Sequence, residues 1–228
     1  MFDWFSPEAK KKRLLKKVTH PTAQRYLQAP FPKLTDNVWD LDYLVLDFET
    51  TGLDPNKDAI LSMGYTEIKQ GRVHLSACKH RIIKLNMVLP PETVVVHKIT
   101  DDRMQAGMHL HDALHELLEH MTGKVIVVHY EPIEHNFLKG AMTRVYGQAL
   151  PMLFVDTLAM EKRFMDKSMQ VVKPNQLRLG NLRKHYNLPR YPAHNALEDA
   201  IATAELFLAE LCQMQESQPN VTLGNLLS

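Results

Sequence analysis

Two carboxylates, Asp47 and Glu49, stand at i and i+2 in a segment that reads as a strand, so both side chains leave the same face. They sit at the carboxyl end of that strand, where ligands collect in open α/β sheets. With no cation nearby in sequence, two such acids repel one another, and a divalent ion with oxygen ligands would relieve that repulsion. Thr50, Thr51 and Gly52 follow, the glycine permitting a tight turn and close approach of a ligand to the backbone. A pair of acids solvated at a strand end would look the same in sequence. A second group lies far downstream in Ala193-His194-Asn195-Ala196-Leu197-Glu198-Asp199. Asn195 followed by Glu198 three residues later is a helix-start signature, with Asn195 as the cap. His194 then falls just outside the helix and can reach the pocket that Asp199 enters. The plainer reading is a surface histidine beside an aspartate that favours the helix dipole.

The elements that must position these groups are legible as patterns. Tyr43-Leu44-Val45-Leu46-Asp47-Phe48 is apolar on both faces until it reaches its carboxylates, as in a central buried strand. Segments Ala59–Lys69 and Arg72–Lys84 are β-prone and separated by Gln70-Gly71, which predicts a hairpin. The rhythm then changes to helix His109–Met121, strand Val125–Val128, helix Pro132–Tyr146, a short strand at Leu153–Val155, and helices near Thr157–Met165, Gln176–His185 and Asn195–Gln213. Hairpin-linked strands followed by alternating helices and strands predict an α/β fold, a mixed sheet with three antiparallel strands then parallel ones, flanked by helices. Residues 1–38 read as a basic helical extension, 39–216 as the domain, and 217–228 as a short tail. In the extension, Lys10, Lys11, Lys12, Arg13, Lys16 and Lys17 surround Leu14, Leu15 and Val18. That pattern fits a solvated helix packed by its leucines, a nucleic-acid contact, or a membrane or partner helix.

Composition bounds the class without choosing the chemistry. The chain has 228 residues, 45% hydrophobic and 23% charged, with a formal charge of +1. This is ordinary for a globular protein and gives a nucleic-acid reading no help. Cys78 and Cys212 are the only cysteines, and no Cys/His zinc spacing surrounds them. The absence of an apolar run after Met1-Phe2-Asp3-Trp4 speaks against a secretory signal, and the expected compartment is the cytoplasm.

Asp47-Phe48-Glu49-Thr50-Thr51-Gly52-Leu53-Asp54-Pro55 resembles the first motif of the DEDD exonuclease superfamily, and His194 with Asp199 resembles the third motif of its histidine subgroup. That DnaQ-like (DEDDh) group includes the proofreading subunit of bacterial replicative polymerase, ribonuclease T and oligoribonuclease. His97-Lys98-Ile99-Thr100 is similar to a stretch that polymerase-associated members carry between motifs. The resemblance covers about Asp42 to Leu211 and implies a ribonuclease H-like sheet. The middle motif departs from the pattern. His129-Tyr130-Glu131-Pro132-Ile133-Glu134 stands where the family commonly has His-Asn-Ala-x-Phe-Asp, so Glu134 takes the aspartate's place; Glu131 is a rival in the wrong register.

The resemblance implies a 3′-5′ exonuclease in which Asp47, Glu49, Glu134 and Asp199 hold two Mg²⁺ or Mn²⁺ ions, Asp47 bridging both, with His194 as general base. Backbone groups of Thr50, Thr51, Gly52 and Leu53 would meet the terminal nucleotide, with Leu53 against the base, and the product would be a nucleoside 5′-monophosphate. Single-stranded DNA 3′ ends are the expected partner. An RNA-directed exonuclease, or a weakly active relative that binds nucleic acid or a polymerase, are the alternatives. No polymerase-tethering domain is visible. Gln176-Leu177-Arg178-Leu179 resembles a sliding-clamp peptide but reads as the start of a helix carrying Leu179 and Leu182 inward.

Overall fold

A computed structural model of the chain describes residues 7–87, 99–169, 171–192 and 194–227. Its centre is a five-stranded sheet in the order β3-β2-β1-β4-β5, formed by β1 (Tyr43–Thr50), β2 (Ile60–Lys69), β3 (Arg72–Ile82), β4 (Val125–Val128) and β5 (Phe154–Asp156). β1 pairs antiparallel with β2, and β2 with β3, whereas β4 and β5 run parallel to β1. This is the mixed α/β sheet the patterning implies. The hairpin turns at Gln70 and Gly71, both at positive φ (51° and 67°), the geometry that two-residue hairpin loops favour because it matches strand twist.

The alternation of side chains along β1 supplies two cores. Leu44, Leu46 and Phe48 join the cluster beneath α4 (Leu110–Met121) and α5 (Pro132–Tyr146). Tyr43 and Val45 face the other way, against Phe207 and Leu211 of α8 (Ala196–Ser217). A strand sandwiched in this way must be apolar on both faces, which is why its two acids could appear only at its end. α6 (Thr157–Lys167) follows β5 directly, and α7 (Leu179–His185) packs beside α8.

Several boundaries differ from expectation. The helix expected from Gln176 begins at Leu179, because Lys173 N–H donates to the Gln176 side chain and Asn175 has φ 63°; Leu182 is buried and Leu179 only half-buried. β3 ends at Ile82, beyond which Ile83 makes an isolated bridge to Met108. A short helix, α3 (Asp101–Gln105), is capped by Thr100; His97 and Lys98 lie outside the described residues. The basic extension forms α1 (Pro7–Leu14) and α2 (Pro21–Gln28). At the other end, α9 (Leu223–Leu227) buries Leu223 and Leu226 beside Val38. Among the described residues no helix is long and apolar enough to cross a membrane.

Candidate active site

The carboxyl end of β1 delivers Asp47 and Glu49 to the face covered by α8, and the start of α8 delivers Asp199 to meet them. One oxygen from each of the three carboxylates lies within 4.8 Å of the others. The register between β1 and β2 slips at Glu49 and Thr50; such a bulge bends the strand and re-aims its last side chains.

The approach of α8 depends on a residue with no side chain. Gly64 lies opposite Asp47 in β2. A Cβ there would stand 2.0 Å from the Ala196 carbonyl carbon and 2.2 Å from Leu197 N. Only glycine lets the first turn of α8 rest on the sheet, and that turn is what brings Asp199 over Asp47. Asn195 caps the helix as expected, its Oδ1 accepting from Leu197 and Glu198 N–H. His194 takes a left-handed φ of 69° and donates its backbone N–H to Asp199 Oδ2 at 2.9 Å. Its side chain is exposed at the mouth of the site.

Glu134 enters from the first turn of α5 and is 4% exposed. It stands outside the tight trio, yet its charge is, after burial, a leading influence on Asp47. Glu134 Oε2 is buried with no hydrogen-bond partner. Asp156 braces this arrangement, and sequence reasoning passed over it. Its carboxylate accepts from Tyr130 N–H at 2.9 Å, Glu131 N–H at 3.1 Å and Leu158 N–H at 2.9 Å, so it caps α6 and holds the β4–α5 turn together. The Asp156-Thr157 pair before a helical run was the available signal. His129 is likewise structural: Thr157 Oγ1 at 2.8 Å and the Leu177 carbonyl at 2.9 Å hold its ring. Tyr130 sits at φ 80°, a strained conformation for an aromatic residue, and stays half-exposed.

The loop after β1 is organised from within. Thr50 Oγ1 donates to the Gly52 carbonyl, and Thr51 Oγ1 donates to Asp58 while accepting from Ala59 N–H. Asp58 also accepts from Asp54 N–H and lies so near Gly52 that a Cβ there would stand 2.5 Å from its Oδ2. Both threonine hydroxyls therefore build the loop, and Leu53 projects from it, 77% exposed.

Crowding these acids together has an electrostatic consequence. Burial, then the charges of Glu134, Asp199 and Glu49, push Asp47 well above the usual carboxylate range. Burial and Asp199 push Glu49 up to about 8. Glu134 also rises to about 8, chiefly through burial, against the lowering effect of its own and the Phe48 N–H groups. Burial raises Asp199 too, opposed by the His194 and Asn195 N–H groups.

A carboxyl whose folded pKa is raised holds a proton that the unfolded chain has released, so stability falls as pH rises between the two values. In chelator, the melting temperature is therefore expected to fall between about pH 5 and 8, by about 2–4 °C per kcal/mol lost. Adding Mn²⁺ should flatten that slope, because a cation favours the ionised forms. Thermal scans across pH with and without the ion check this.

The exonuclease family model RNase_T matches residues 44–207. Similar proteins include a PolC-type DNA polymerase III of Thermotoga maritima, 29% identical over 169 residues, or 74% of this chain and 12% of that protein. A 3′-5′ exonuclease DinG of Staphylococcus haemolyticus is 29% identical over 186 residues, 81% of this chain and 19% of that protein. The chain thus spans less than a fifth of the length of these relatives. Among solved structures, E. coli exonuclease I in complex with a dT13 oligonucleotide aligns with TM-score 0.63 at 17% identity, over 78% of this chain and 42% of that one. Cell-death related nuclease 4 aligns with TM-score 0.62 at 16% identity, over 75% and 64%. These likenesses establish a shared fold. With the family match covering both carboxylate motifs, the chain belongs to the RNase T family of exonucleases, the DnaQ-like group that its motifs resemble.

Proposed function

We propose that this protein removes nucleotides from the 3′ ends of single-stranded DNA, releasing nucleoside 5′-monophosphates, with two divalent ions held by Asp47, Glu49, Glu134 and Asp199. The observation that carries the reading is the convergence of Asp47, Glu49 and Asp199 within 4.8 Å at the carboxyl end of β1. An all-oxygen donor set suits Mg²⁺ or Mn²⁺, and the partnerless Glu134 Oε2 adds a buried acceptor where a cation would be welcome. DinG and PolC-type relatives and the oligonucleotide complex of exonuclease I support the direction and the substrate class.

Bound divalent ions supply a more acidic water and neutralise charge on the phosphate. The rest falls to the chain. His194, exposed at the mouth and tethered to Asp199 through its N–H, accepts the proton of the attacking water on its imidazole. The new P–O bond forms from that water as the bond to the 3′ oxygen of the preceding nucleotide breaks. That oxygen takes up a proton from solvent, leaving a shortened strand with a 3′ hydroxyl, while His194 returns its own proton to solvent. Leu53 offers an apolar surface to the terminal base, on a loop kept rigid by Asp58.

The test is hydrolysis of 5′-labelled single-stranded DNA, matched RNA and duplex in Mg²⁺ or Mn²⁺. One-nucleotide shortening from the 3′ end with DNA preferred is expected; undiminished cleavage in excess chelator would sink the mechanism. Glu134→Asp probes the departed motif. The shorter side chain withdraws about 1.5 Å from the pocket, so activity is expected to fall about tenfold and half-saturation to need more Mn²⁺. A gain in activity would instead mark Glu134 as an impaired ligand.

A further inference from the structure

The basic helix α1 is not simply solvated. Lys11 points inward and is 2% exposed, its Nζ donating to the Ala29 carbonyl and lying 3.8 Å from the centre of the Phe31 ring. A buried lysine is rare enough to fix the rotation of its helix. Leu14 and Val18 are buried beside it, and Glu8, the acid of this segment, is drawn to Phe31 N–H at 3.0 Å and to Lys11 at 3.8 Å. Lys10, Lys12 and Arg13 consequently share the exposed side of α1, and Lys16 and Lys17 are exposed in the turn that follows it. Lys10 further lines an open cleft of about 280 Å³ with His135 and Lys139 of α5, floored by Leu150, Pro151 and Met152.

α5 links this cleft to the carboxylates. Glu134 lies in its first turn, and Lys139 lies about 7.5 Å further along the axis at 1.5 Å per residue. His135 pairs with Glu131 on the same side of the helix. The chain's near-neutral sum of +1 thus conceals a separation: acids converge at the β1 end, and cations gather along α1 and the far half of α5. A phosphate strand is repelled by the first and drawn by the second, and a basic track beside an acidic centre holds a polyanion where the centre alone would not.

We propose that the exposed side of α1 and of the turn after it, continued by Lys139, is the track for the phosphodiester backbone of the single strand whose 3′ end occupies the carboxylate site; this rests on the nuclease reading above. The test uses the full chain carrying K10Q/K12Q/K16Q/K17Q, glutamine keeping the helix propensity of positions 10 and 12 and removing only the charge at 16 and 17, and separately Lys139→Gln. Binding of a 20-nucleotide single strand is measured in chelator across salt concentrations, alongside Mn²⁺-dependent hydrolysis of the same strand and of a dinucleotide. The quadruple variant is expected to bind the 20-mer about tenfold or more weakly, with its salt slope reduced by about 0.7 for each phosphate no longer neutralised, and Lys139→Gln should reduce it by one such step. Dinucleotide hydrolysis should be unchanged. An unaltered slope overturns the track, as does loss confined to binding of phosphatidylserine vesicles, which would assign the helix to a membrane surface. Failure of the wild type to cleave either substrate would defeat the nuclease reading, while the chelator binding series would still decide the track.

Discussion

Asp47→Asn is expected to reduce hydrolysis of a single-stranded oligonucleotide by about 10³-fold or more, about 4 kcal/mol in the barrier, while raising the melting temperature of the metal-free protein. The two effects share one cause. Asp47 stands among Glu49, Glu134 and Asp199, each of which pushes its pKa up on top of burial. Without a cation the ionised aspartate is an unfavourable charge, half-buried and crowded by like charges, and the neutral amide removes it at nearly constant shape. With a cation the same charge would be one of the three carboxylates that converge within 4.8 Å to hold it. Wild type should therefore gain melting temperature on adding Mn²⁺ at pH 8, and Asp47→Asn should gain much less. Activity assays and thermal scans on the two proteins in chelator and in Mn²⁺ give four comparisons. A variant that is inactive, destabilised in chelator and still strongly stabilised by Mn²⁺ would show that Asp47 is a structural residue and that the ions sit elsewhere.

Gly64→Ala should cost both stability and rate, although Gly64 touches no substrate. Its new Cβ would lie 2.0–2.2 Å from the backbone of Ala196 and Leu197. Backbone is the neighbour there, so no side-chain rotation relieves the clash and the first turn of α8 has to move. Ordinary contact between carbon atoms is about 3.5–4.0 Å. Overpacking of this kind costs about 1–3 kcal/mol, and misplacing a reacting group by 1 Å can cost about 10²-fold in rate. The expected signature is a lower kcat together with a weaker Mn²⁺ dependence, because Asp199 leaves the trio. Gly123→Ala is the control: Gly123 has φ 73°, but a Cβ there would meet nothing within 4 Å, so it should lose stability through backbone strain and leave kcat unchanged. Equal loss of kcat in both would show that general destabilisation, and not the seating of α8, sets the rate.

What the amino-acid pattern determined by itself is local. Alternation makes β1 buried on both faces and puts Asp47 and Glu49 on one side of its end. Gln70-Gly71 closes the hairpin at positive φ, and Asn195 caps α8. Each rests on neighbours a few residues apart, whose geometry the backbone itself constrains. The tertiary structure decided the rest. Asp47 and Glu49, alone in sequence, were compatible with a solvated strand end; Asp199 becomes their partner because Gly64, on a different strand, leaves room for a helix backbone. Glu134 was placed by alignment of a departed motif, and only the fold shows it buried, braced through Asp156 and leaning on Asp47. Lys11 sits within a run of similar basic residues, yet only packing against Phe31 and Ala29 turns it inward and its neighbours outward. The physical reason is the same in each case. Burial and close approach depend on atoms contributed by distant parts of the chain, and periodicity carries no record of which distant part arrives.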